Sequence, residues 1–170
     1  ANGVYTIEGV TYGSYPYTVT NTTDDYAAKS GTVSVKNKDV TENVTLELNT
    51  YALTFTGVPS DATLTLYSDA EHTTRIGTGT KYSVTRGTYY YTVTGAFGYK
   101  ALTDGVVKVE KATNIPVTLA EADRVNVKFD YNNDVENPKI TVKHGYTTMP
   151  AEADGSYKLY VGYTYSWEFS

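Results

Sequence analysis

Between Tyr51 and Leu119, apolar side chains recur at every second position in short runs, and each run closes on turn-forming residues. The runs are "YALTFTG", "ATLTLYS", "KYSVTRG", "GTYYYTVTG", "DGVVKVE" and "TNIPVTLA". Strict alternation sends successive side chains to opposite faces of a strand, so each run predicts a strand with one face inward. Gly57 and Pro59 break the pattern after the first run, as turn residues do. No stretch carries a 3.6-residue apolar period. Six short strands in about 70 residues predict an all-β fold built of antiparallel sandwiches.

The pattern also repeats along the chain. "GSYPYTVTN" begins at Gly13 and "GTYYYTVTG" at Gly87, an offset of 87 − 13 = 74 residues. Val33 and Val35 match Val107 and Val109 at the same offset, and "LTF" at Leu53 matches "VKF" at Val127. "NVTL" at Asn43 matches "PVTL" at Pro116, and "DGSYKL" at Asp154 echoes "NGVYTI" at Asn2. One layout accommodates all of these. Residues 50–121 form a complete repeat, residues 1–49 the back part of another, and residues 122–170 the front part of a third. Each full copy is expected to be a small domain with its own core, strung like beads.

Three aligned strands then set Tyr15, Tyr17 and Val19 beside Tyr89, Tyr91 and Val93, and beside Tyr165, Trp167 and Phe169. The repeated large apolar face predicts a core face, with each tyrosine hydroxyl kept at the sandwich rim. That accounts for five of the chain's 18 tyrosines, Tyr15, Tyr17, Tyr89, Tyr91 and Tyr165.

Composition narrows the function. Of 170 residues, 14 are Lys or Arg and 19 are Asp or Glu, a net charge of −5 that disfavours nucleic acid and anionic membrane surfaces as partners. No cysteine is present, which excludes disulfides and thiolate metal sites within the chain. No run reaches the roughly 18 apolar residues of a membrane-spanning helix, so no membrane insertion is expected. The chain begins at Ala1 with no visible signal peptide, which reads as a mature protein or a piece of a longer one.

The middle repeat, with Pro59 and Ala62 at its entry, Gly87, Tyr89, Tyr91 and Val93 on its tyrosine strand, Gly98 and Tyr99 after it, and Val117 and Leu119 at its close, resembles the transthyretin-like or Ig-like repeats of bacterial surface proteins. PEGA-type modules and the B-type repeats of Gram-positive collagen adhesins are similar. The resemblance implies a secreted or surface-anchored bacterial protein in which such modules serve as stalks, spacers or adhesive units. Some adhesin repeats form an isopeptide bond between a strand Lys and an Asn or Asp, assisted by a buried acid. The middle repeat departs from that, having no Lys in "YALTFTG" and no acid in "TVTGAFGY". Lys128 and Glu168, with Asn43 of another molecule, would form such a set; a surface Lys and a solvated Glu are the plainer reading.

Candidate chemistry is otherwise thin. His72 and His144 lie at loops or strand ends with no nucleophile elbow or zinc-binding helix motif near them, so no enzyme is expected. In "DYNNDVEN", Asp130, Asn132, Asp134 and Glu136 alternate oxygen ligands as calcium prefers. Val135 stands where an EF-hand loop needs Gly, however, and Asn and Asp equally favour a plain turn. Tyr90, Tyr146, Tyr160 and Tyr163 fall off the core alternation, which makes them candidate contacts for glycans or a host surface protein, or ordinary outer-face pairs. No cofactor is called for.

The expectation is therefore a structural stalk or spacer outside the bacterial cell. Two readings fit the partial ends: either residues 1–49 and 122–170 are cut from a longer run of repeats, or the tail of one molecule completes the head of the next in head-to-tail self-association. An adhesive module is the alternative.

Overall fold

The computed structural model describes residues 3–131 and 138–170, and every regular element among them is a β-strand. β1 (Gly13–Val19) and β2 (Lys29–Val35) form an antiparallel pair by themselves. β3 (Tyr51–Thr56), β4 (Thr63–Tyr67), β5 (Arg75–Thr78), β6 (Lys81–Val84), β7 (Gly87–Thr94), β8 (Leu102–Val109) and β9 (Thr113–Pro116) build a central sandwich. Its sheets run β6-β3-β9 and β5-β4-β7-β8. β10 (Arg124–Val127) pairs with β13 (Tyr157–Tyr160), while β11 (Ile140–His144) lies between β12 (Thr147–Thr148) and β14 (Ser166–Phe169).

Alternation makes the central core. Leu53 and Phe55 of β3 face Leu64 and Leu66 of β4, Tyr89, Tyr91 and Val93 of β7, and Val107 and Val109 of β8, all buried. A fully buried Leu or Val contributes about 1.5–3 kcal/mol, so this cluster is the main source of cohesion. β9 closes the smaller sheet parallel to β3, and the Val117 amide extends that pairing by donating to the Thr56 carbonyl at 2.7 Å. β5 was not expected. It holds only Ile76 as a large apolar residue, and it lies at an exposed sheet edge.

The sequence offset is also a geometric one. Val127↔Tyr157 repeats the pairing of Leu53↔Tyr82, and Val142↔Trp167 repeats Leu66↔Tyr91. Phe55 meets Tyr82 edge-on at 6.2 Å and 88°, and Phe129 meets Tyr157 at 6.0 Å and 88°. On the other side, Tyr17↔Gly31 repeats Tyr91↔Gly105. β10, β11, β13 and β14 are thus counterparts of β3, β4, β6 and β7, and β1–β2 is the counterpart of β7–β8.

The shared core face is buried only in the middle. Tyr15, Tyr17 and Val19 are half-buried, while Trp167 and Phe169 stay 60% and 43% exposed. Among the described residues, β14 has no counterpart of β8 beside it and β1 has no counterpart of β4. The chain exposes 12388 Å², against about 8,200 Å² for a compact monomer of its mass.

Candidate functional site

The loop after β7 makes contacts with both the central sandwich and the segment leading to β10. Gly95 and Gly98 adopt φ of 88° and 83°, which lets the chain double back. Asp61 of the central sandwich accepts a hydrogen bond from the Phe97 amide at 2.8 Å. The loop then hooks the segment leading to β10. The Lys100 amide donates to the Ala120 carbonyl at 2.8 Å, the Ala122 amide to the Gly98 carbonyl at 2.9 Å, and Lys100 Nζ lies 3.0 Å from Asp123.

Phe97 crosses this joint and packs with the second core cluster of Val142, Met149, Tyr157 and Leu159. Its ring stacks on His144 at 4.2 Å and 9°, and meets Tyr163 and Tyr160 edge-on at 5.0 and 5.3 Å. Tyr163 donates its hydroxyl to the Ala96 carbonyl at 3.0 Å, and a His144 ring nitrogen lies 3.0 Å from the Thr164 carbonyl oxygen. Arg124 lies 4.4 Å over the Tyr160 ring, a cation–π contact, and donates to the Tyr160 hydroxyl at 2.6 Å. A Cβ at Gly98 would come within 2.8 Å of the Tyr160 ring, so the joint needs glycine there. Beside it opens a groove of about 400 Å³ lined by Tyr99, Lys100, Asp123 and Tyr163.

An equivalent hook joins residues 3–49 to the central sandwich. Tyr26 bridges Leu48 as Tyr99 bridges Glu121. The Ala27 amide donates to Glu47 at 2.8 Å and the Asn49 amide to Asp25 at 2.9 Å. Here the contacts are polar: the Asp24 carbonyl accepts from Tyr51 Oη at 3.1 Å and from Asn49 Nδ2 at 2.8 Å. Asp25 Oδ1 is buried without a hydrogen bond, and the Arg86 guanidinium at 3.4 Å offsets its charge.

A tyrosine clamp recurs at the start of each tyrosine strand. Tyr15 donates to the Thr11 carbonyl and Tyr89 to the Thr85 carbonyl, both at 2.9 Å; Tyr165 donates to Tyr160 at 3.2 Å. Each such bond nets about 0.5–1.5 kcal/mol and fixes the ring at the rim. The signal, Thr-x-Gly-x-Tyr at 11–15 and 85–89, was present in the sequence and went unread.

The other candidates are dispersed. Tyr90 lies on the outer sheet face, paired with Tyr67 and with the exposed Val106. His72 stacks on Tyr67 at 4.7 Å and tilts toward Tyr90 at 6.5 Å. A tight turn places it: Asp69 accepts from the Thr73 amide at 2.8 Å, its hydroxyl at 3.0 Å and the Thr74 amide at 2.6 Å. Those bonds, the Thr73 amide foremost, hold the Asp69 carboxyl down at about 2. Tyr146 is fully exposed in the β11–β12 turn, whereas Tyr160 and Tyr163 are seated in the joint. Lys128 is exposed and alternates with the half-buried Val127 and Phe129; Glu168 pairs with Lys143 at 3.1 Å; Asn43 is exposed. No contact brings these three together among the described residues. Asp130 is exposed, and Asn132, Asp134 and Glu136 lie outside the described residues.

No family model and no curated protein matches the chain. Among solved structures, the Bacillus anthracis TIE protein is similar over 94% of this chain and 36% of that one, at 17% identity and a TM-score of 0.46. The chain therefore spans about a third of that protein's length.

Proposed function

We propose that the chain is a run of tandem β-sandwich repeats that serves as a stalk or spacer of a bacterial extracellular surface protein. One observation carries the reading. The hook after the tyrosine strand occurs twice, at Tyr26↔Leu48 and Tyr99↔Glu121, and each time it grips the start of the following repeat. A spacer must fix the direction from one module to the next, and two backbone bridges at equivalent places do that. The bacterial surface setting rests on the motif resemblance of the middle repeat.

Small-angle scattering tests it. The chain is expected to give one well-defined maximum dimension, and Phe97→Ala combined with Tyr163→Phe should broaden the distance distribution while leaving the central core folded. A parent chain that already averages over many orientations would sink the reading.

The outer-face row of Tyr67, His72, Tyr90 and Val106 favours a second reading, an adhesive module that stacks on glycans or a host protein. Binding on a glycan array that disappears in Tyr90→Ala would favour it over the spacer.

A further inference from the structure

We propose that the outer face of the central sandwich binds an acidic glycan, a pyranose ring stacking on Tyr67 and Tyr90 while its carboxylate pairs with the Arg75 guanidinium. This rests on the adhesive reading of that row and deepens it by naming the ligand.

The row crosses four strands in register. Arg75 of β5 stands opposite Tyr67 of β4, Tyr67 opposite Tyr90 of β7, and Tyr90 opposite Val106 of β8. Opposed residues of an antiparallel pair share a face, and the neighbouring Leu66 and Tyr91 are buried on the other one, so this row faces outward. The adjoining row on the same face is Thr78, Thr65 and Thr92. Rings thus lie beside hydroxyls. A pyranose has an apolar C–H face and a rim of hydroxyls, so it can stack on the rings while the threonines hydrogen-bond its rim. Arg75 donates to Thr78 Oγ1 at 3.3 Å and makes no ion pair among the described residues. A guanidinium so placed takes a ligand carboxylate in a charge-assisted pair. A partner protein is the poorer match. The exposed large apolar residues of the face, Ile76 at 42% and Val106 at 57%, are few against the roughly 20–30 residues a side of a stable protein interface.

The fold does not demand these side chains. Lys143↔Ser166 occupies the place of Tyr67↔Tyr90 in the following repeat, and Pro16↔Thr32 that of Tyr90↔Val106 in the preceding one. The aromatic row is therefore particular to the central repeat, and two local distortions serve it. Between Leu66 and Tyr67 the register with β5 slips from Gly77 to Arg75, leaving Ile76 as the extra residue of a bulge. An unbroken ladder would set Ile76 against Tyr67; the bulge re-aims the strand and sets the guanidinium there instead. The loop after β4 holds His72 at φ 57°, a left-handed conformation uncommon outside glycine, and stacks its ring on Tyr67 at 4.7 Å and 27°. Backbone held in that region clusters at ligand-binding surfaces. His72 braces the Tyr67 ring before any ligand arrives, which lowers the ordering cost of binding.

NMR titration of the whole chain tests this with two probes, a hyaluronan tetrasaccharide, which carries glucuronate, and chitotetraose, which is neutral. The expected result is saturable binding of the acidic probe, with shifts confined to Tyr67, His72, Tyr90 and their neighbours. The neutral probe should bind about tenfold more weakly, the worth of one charge-assisted hydrogen bond. Arg75→Gln should erase that preference without weakening the neutral probe, and Tyr90→Thr should abolish binding of both. Equal affinities for the two probes overturn the inference but leave the adhesive reading standing on neutral sugars. No saturable shift with either probe overturns the inference and the glycan side of the adhesive reading together. Shifts on another face overturn the inference as well. Should Tyr90→Thr fail to fold, Arg75→Gln on the exposed edge strand still decides.

Discussion

Gly105 marks the tightest approach in the central sheet. A Cβ there would come 2.5 Å from the Tyr91 ring, which lies flat across the position from the neighbouring strand. An aromatic ring covering a cross-strand glycine compensates for the missing side chain. Gly105→Ala should therefore force the buried ring off its rotamer and destabilise the central sandwich by about 1–3 kcal/mol, as overpacking does. Chemical denaturation checks this; an unchanged midpoint would mean that Tyr91 moves freely. Asp69 gives a pH prediction. Its carboxyl sits at about 2 in the fold against an ordinary 3.8, because the Thr73 and Thr74 amides favour the ionised form. The turn's share of stability is thus fully present above about pH 4 and lost as pH falls toward 2. Carboxyl NMR titration should give Asp69 a midpoint near 2, with the His72 ring leaving Tyr67 over the same range. A midpoint near 4 would show that the turn bonds do not hold in solution.

At the scale of elements, legibility followed local chemistry. β7 was plain from the alternation Tyr89, Tyr91, Val93, and the place of β10 followed from the offset of "LTF" at Leu53 to "VKF" at Val127, whereas β11 was not drawn from it. β5 was not legible, because Arg75–Thr78 contributes one large apolar residue to an edge and so lacks a period. The joint was also illegible. "AFGYK" reads as a turn, and nothing within it announces that Phe97 will stack on His144, whose strand is far away in sequence. Tyr160 and Tyr163 stood out because they left the core alternation. That signal marks a side chain with a partner other than its own core, but it does not say whether the partner is a ligand or the loop of an adjoining repeat. Trp167 shows the converse. Its alternation predicts a core face, yet the residue is 60% exposed, because burial is conferred by neighbouring strands and β14 has one such neighbour among the described residues.

For the whole molecule, the uneven distribution of buried surface implies uneven stability. Leu53, Leu64, Leu66, Val93 and Val109 are almost wholly buried in one cluster, while β1–β2 and β14 carry apolar rows packed on one side or less. Local opening free energy follows buried contacts, so exchange should be graded along the chain. In a dilute sample, amides of β4, β7 and β8 should exchange slowest, those of β11 and β13 at intermediate rates, and those of β1 and β14 at least tenfold faster than β7. The sole tryptophan, Trp167, reports the same gradient independently. Its emission should be that of a largely hydrated indole, and quenchers should reach it before any change in the central core. Uniform protection with a buried tryptophan would overturn the gradient.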